Sequence, residues 1–242
     1  MSIIKQSIIG YSPFSIEDRA DSYIIHGANH GMNTLKLSRQ LIPARTQRYS
    51  ASQRKEILSA YKGITSDNFL KIPFYTESPP FYNSLFNDLY QNCGVEGIEE
   101  VRNFIRKQMS NNFLVTLTRV VYSPLGERDE VIHNYWQEDE IKIGLDCLIG
   151  SNGHILRTEN MEEPIQALLG IRQSLSKVNA VYRWLTREDT HLRRFDDVVY
   201  KRTETVARLG VGSDMVVLLC TGYPGESGPS LGMVVSKDLR RE

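Results

Sequence analysis

The chain has 242 residues, long enough to bury a sizeable core as one large domain or two small ones. Its 40% hydrophobic and 24% charged residues are the balance of a globular protein, which excludes a disordered or fibrous chain. Formal net charge is +0 and the pI about 7.0, so no global field draws the molecule toward nucleic acid or a membrane surface.

Three cysteines, Cys93, Cys147 and Cys220, lie far apart, so neither a disulfide framework nor a CxxC metal site is available. Cys147 and Cys220 stand in apolar runs and are expected as buried thiols. The opening residues lack a sustained apolar run of the secretory type, and the aliphatic run at 215–220 is far too short to cross a bilayer. A soluble protein of a reducing compartment, the cytoplasm, is therefore expected, with no membrane partner.

Taken in order, residues 2–11 carry paired isoleucines and suggest a first strand, and 22–26 a second that ends at Gly27 and Gly31. Residues 32–41 read as a short helix stopped before Pro43, and 50–62 as a helix with Ile57, Leu58 and Tyr61 on one face and Gly63 behind it. Ser78 followed by Pro79 starts a helix that runs to about residue 92. Residues 97–109 form another, with Ile98, Val101, Phe104, Ile105 and Met109 on one stripe.

Residues 113–157 have apolar runs split by short polar breaks, the pattern of an antiparallel meander. Asn160 and Glu163 have the spacing of a capping box ahead of a long helix over 161–186, although Gly170 weakens its middle. Strands follow over 195–209, 214–221 and 231–236. The expected class is α+β: a meander packed by one long helix, further C-terminal strands and a helix-rich N-terminal part. The Pro- and Tyr-rich stretch at 72–80 suggests a boundary between an N-terminal segment, 1–75, and a main domain, 76–242. A single domain fits equally well.

Two charge clusters carry possible chemistry. No acidic residue occurs between Asp21 and Glu56, a block that holds Lys36, Arg39, Arg45, Arg48, Arg54 and Lys55. Such a block can neutralise phosphates, which makes nucleic acid or another phosphate-bearing ligand the expected partner. The opposite charge gathers in the meander, where Glu127, Asp129, Glu130, Glu138, Asp139 and Glu140 fall together. Two carboxylates on paired strands can share a Mg²⁺ ion and lower the pKa of its bound water. A neighbouring lysine would then stabilise the charge on a phosphate under attack.

The order helix, three strands, helix, strand resembles the core of restriction-endonuclease-like nucleases. That resemblance implies a Mg²⁺-dependent phosphodiesterase with an acidic residue on the second strand and Glu-x-Lys on the third. Glu140, Ile141 and Lys142 match the tripeptide, and Asp129 or Glu130 the second-strand acid. The implied metal ligands are Asp129, Glu130 and Glu140, and the implied catalytic set is Asp129, Glu140 and Lys142, with Glu99 or Glu100 as a further ligand. Glu140 departs from the pattern by following Gln137, Glu138 and Asp139 rather than apolar residues, which fits a solvated hairpin tip equally well.

Gly225, Glu226, Ser227 and Gly228 resemble the nucleophile loop of chymotrypsin-like proteases but lack the rest of a triad, and read as a turn. His26 and His30 are four apart but interleaved with glycines, so they read as a loop. The alternative to a phosphate-handling protein is a non-catalytic module, either one that binds a small ligand in a pocket between sheet and helix or one that assembles through exposed strands, a homo-oligomer included.

Overall fold

The computed structural model describes residues 14–28, 33–45, 64–65, 68–125, 127–133, 141–146, 148–212, 214–223 and 227–237. It is an α+β molecule of two sheets and four helices among those residues. The first sheet has five antiparallel strands in the order β1 (Ser15–Asp18), β2 (Ser22–Gly27), β3 (Asn33–Arg45), β12 (Ser227–Lys237) and β4 (Tyr75–Thr76). Both of its faces are covered. Tyr23, Ile25, Leu35, Leu37 and Met233 enter the main core, while Ile24, Val234 and Phe69 form a second cluster behind, packed by Ile72 and Phe74.

Coverage on both sides corrects the helix-rich reading of the N-terminal part, which is built of strands. Of the helix expected at 32–41, residues 33–41 are instead the first two thirds of β3. Leu35 and Leu37 repeat at a spacing of two and point to one side, and Lys36 goes to the other. Pro43 sits opposite Pro229 in a sheet rather than ending a helix. The expected strand at 2–11 and helix at 50–62 lie outside the described residues.

The second sheet is a curled, mixed half-barrel of seven strands. Its order is β7 (Ile141–Leu145), β6 (Asp129–His133), β5 (Leu114–Tyr122), β10 (Thr203–Val211), β11 (Val216–Gly222), β9 (Thr190–Arg193) and β8 (Gly153–His154). The meander is present as β5, β6 and β7, but the chain after β7 crosses to the far edge as β8. The parallel pairing of β9 with β11 makes the sheet mixed.

Helix α1 (Pro79–Gln91) starts behind Ser78 with proline at its first position, and α2 (Ile98–Asn111) buries Ile98, Val101, Ile105 and Met109. The long helix expected at 161–186 is two helices, α3 (Glu162–Leu169) and α4 (Leu175–Thr186). Gly170 breaks them apart by taking φ 61° as the C-cap of α3, a conformation that favours glycine. Asn160 makes no capping bond; Met161 takes the N-cap position and Asn160 has a left-handed φ of 56°.

All four helices send residues into one cluster with both sheets. Tyr82 on α1 ties that helix to the first sheet, its buried hydroxyl accepting the Glu77 N–H at 3.1 Å and donating to the Leu231 carbonyl at 2.7 Å. From α2, Arg102 and Arg106 donate to the carbonyls of Trp184 and Leu185 at 2.8 and 2.9 Å, filling acceptors that the end of α4 leaves open. Among the described residues no helix is long and apolar enough to cross a membrane.

Candidate ligand-binding cleft

Strand β7 is the last strand at one edge of the half-barrel. Its register with β6 pairs Asp129 with Leu145, Val131 with Ile143 and His133 with Ile141, so these six residues share one sheet face. Helix α3 lies on that face, held where His133 meets the backbone. The His133 Nε2 lies 2.7 Å from the Ala167 carbonyl, and its Nδ1 lies 2.7 Å from the Thr118 hydroxyl. The carbonyl can only accept, so Nε2 carries the hydrogen and Nδ1 accepts from Thr118. Burial pushes the His133 pKa down, partly opposed by the bond to Ala167.

Helix α3 does not cover the whole strand. Between β7, α3 and the start of α1 is a cleft of about 710 Å³. Ile141, Ile143 and Leu145 line it from the sheet, Gln166 and Ala167 from α3, and Pro80 and Phe81 from α1. Glu163 and Arg172 stand at its margins, both exposed. Ile141 is 52% exposed at the open side of this lining. A smaller cavity of about 180 Å³ adjoins the cleft across Pro80 and Phe81. Gly170 shapes the wall: a Cβ there would lie 2.8 Å from Pro80 Cγ, so the turn after α3 can touch α1 only without a side chain.

The residues expected to hold Mg²⁺ are placed as follows. Asp129 is 3% exposed, and its carboxylate accepts the Ser123 N–H at 2.7 Å and the Leu148 N–H at 2.5 Å. Glu130, on the opposite face, accepts from Arg202 at 2.7 Å. Lys142 is exposed on the same face as Glu130, because it pairs with Ile132. Asp129 and Lys142 therefore occupy opposite faces of the hairpin, while Glu140 lies outside the described residues. Glu99 pairs with Arg102 at 2.6 Å and Glu100 with Arg39 at 2.7 Å. Among the described residues no three His, Cys, Asp or Glu side chains are grouped to hold a metal ion.

Of the basic block, Lys36 and Arg39 have described side chains. Lys36 is 2% exposed; its ammonium donates to the carbonyls of Leu70 at 3.0 Å and Ile72 at 2.5 Å and lies 4.5 Å from the centre of the Phe74 ring. Burial lowers its pKa, partly offset by Asp21. Arg39 bridges Asp18 and Glu100 and stacks on Tyr23. The Arg45 side chain, Arg48, Arg54 and Lys55 lie outside the described residues, as does His30.

Two further polar groups were not anticipated. His154 Nε2 lies 3.5 Å from Asp189, whose carboxylate also accepts from Asn179 at 2.9 Å, and His154 Nδ1 accepts the Leu156 N–H at 3.0 Å. Both ring nitrogens thus face partners inside the chain. The Asn179 bond, first among several favourable contacts, holds the Asp189 pKa below the usual carboxylate value. Arg194 is 4% exposed, and its guanidinium donates to the carbonyls of Leu148, Ser151 and Asn160.

The cleft was partly visible in the sequence. The 141, 143, 145 alternation and the glycine at 170 are its two signals, but their meeting depends on which sheet edge α3 reaches. No family model, curated protein or solved structure matches this chain.

Proposed function

We propose that this protein is a non-catalytic binding module whose ligand occupies the cleft between β7 and α3. The cleft itself carries this reading: its volume, about 710 Å³, lies within the range of small-ligand sites. Its chemistry supports the same conclusion. The sheet side is aliphatic, Phe81 adds an aromatic surface, and Gln166, Glu163 and Arg172 supply hydrogen-bonding groups at the rim. Such a lining suits a ligand with an apolar body and polar ends. A phosphate-binding face has less support, since Lys36 and Arg39 already have carbonyl and carboxylate partners within the chain.

The test is a two-dimensional amide NMR screen of small organic compounds and short peptides. A ligand should shift Ile141, Ile143, Gly170 and Ile171 in the wild-type protein and lose affinity in Gln166→Trp, which fills the cleft. Shifts that avoid these residues for every binder would overturn the reading. A titration with Mg²⁺ and nucleic acid covers the alternative. Metal-dependent cleavage that disappears in Glu140→Ala would establish phosphodiester chemistry in its place.

A further inference from the structure

Strand β7 brings to the cleft a second feature that a small-molecule pocket does not need. It is the terminal strand of its sheet, and its outer backbone edge has no strand partner among the described residues. The N–H and C=O groups along such an edge are a template for one more extended chain. Apolar surface lies along the same strand, exposed at Ile141, partly exposed at Ile143 and buried at Leu145. Ile141, Ile143 and Leu145 share the cleft face at a spacing of two, while Lys142 and Gly144 turn to the other side and are exposed. A strand laid beside β7 in register would present its own alternate side chains to the cleft under α3 and the rest to water.

We infer that the ligand of this cleft is an extended peptide that adds to β7 as an eighth strand, with alternate apolar side chains in the cleft and an acidic group at the Arg172 end. This rests on the cleft being the binding site, and it adds the class of ligand.

Length and charge both fit. Within α3, residues 163–169 span six steps, roughly 9 Å at the helical rise, which overlies about three residues of an extended strand. The five residues of β7 offer at least that length of edge. The two exposed charges at the margins are opposite in sign, so the cleft has a polarity that selects one direction of the incoming chain. Arg172 suits a carboxylate, from an acidic side chain or a chain terminus. Lys142, on the opposite face of the same edge, places a charge against indiscriminate pairing of apolar strands.

The experiment selects heptapeptides from a displayed random library on the full-length protein and synthesises the best binder in three forms. One is unmodified, and the other two carry backbone N-methyl groups on alternate residues, one set in each. Strand addition uses the N–H groups of only one alternate set. One methylated form should therefore bind about tenfold or more weakly and the other nearly as well as the parent. Ile141→Glu, at a half-exposed position that tolerates a charge, should weaken the parent peptide about tenfold, and Arg172→Glu should weaken it and favour basic sequences instead.

Two results would overturn the inference. One is equal binding by both methylated forms. The other is selection that enriches no peptide whose affinity depends on Ile141. If small compounds still bind at the cleft in either case, the binding-module reading survives without the peptide. If they do not, both fall. Retained folding of Ile141→Glu is checked by its amide spectrum, and the two methylated peptides need no variant protein.

Discussion

His133 shows how one side chain sets the position of a helix. It reaches from β6 to the Ala167 carbonyl on α3 while accepting from Thr118 on β5, and it does so as a neutral ring. Its depressed pKa makes the arrangement sensitive to acid. A base whose folded pKa lies below its unfolded value is protonated more readily in the unfolded chain. Stability is then unaffected well above the ordinary value of 6.5 and is lost as pH falls through 6.5 toward the folded value. The difference in unfolding free energy between the wild type and His133→Gln should accordingly shrink between about pH 8 and about pH 5. A difference that stays constant across that range would show that His133 does not carry this sensitivity. From sequence, an isolated histidine reads as a surface or satisfied core residue; only its two partners, on different elements, reveal what it holds.

At the scale of elements, the decisive feature is the break at Gly170. The apolar residues from Ile165 to Leu185 keep helical phase through the break, which is why one long helix is the natural reading. Gly170 and the four residues after it instead redirect the chain, so that α3 stands over β7 and α4 packs on α1 and α2. Glycine is required twice here, by its φ of 61° and by the approach of Pro80. Gly170→Ala should therefore lower stability by about 1–3 kcal/mol in denaturant unfolding. A loss below about 0.5 kcal/mol would mean that the turn and α1 yield easily. The strand–helix error at 32–41 has a different origin. In β3 the alternation of Leu35, Leu37 and Leu41 is interrupted by Arg39, and the other face buries Lys36 and Ser38 rather than apolar residues, so the period of two is blurred.

At the scale of the whole molecule, the C-terminal strand β12 pairs with β3, and Ser230 on β12 donates to the Val115 carbonyl of the other sheet at 2.9 Å. Residues on either side of the expected boundary at 75 thus meet in one sheet and one hydrophobic cluster. Thermal unfolding followed by near- and far-ultraviolet circular dichroism should give one coincident transition. Two separated transitions, one assigned to residues 1–75 by their amide signals, would instead establish two domains.

The amino-acid sequence by itself determined the class of elements wherever the signals are local. Helices α1 and α2 carry their stripe, proline and glycine signals locally, and the hairpins of β5, β6 and β7 show their breaks, because both are governed by neighbours in the chain. Tertiary structure alone decided the rest. It set the partner of β12, the crossing of the chain from β7 to β8, the opposite faces of Asp129 and Lys142, and the meeting of α3 with the edge of the half-barrel. Each of these depends on contacts between residues far apart in sequence, and a local pattern holds no information about which distant surface will cover it.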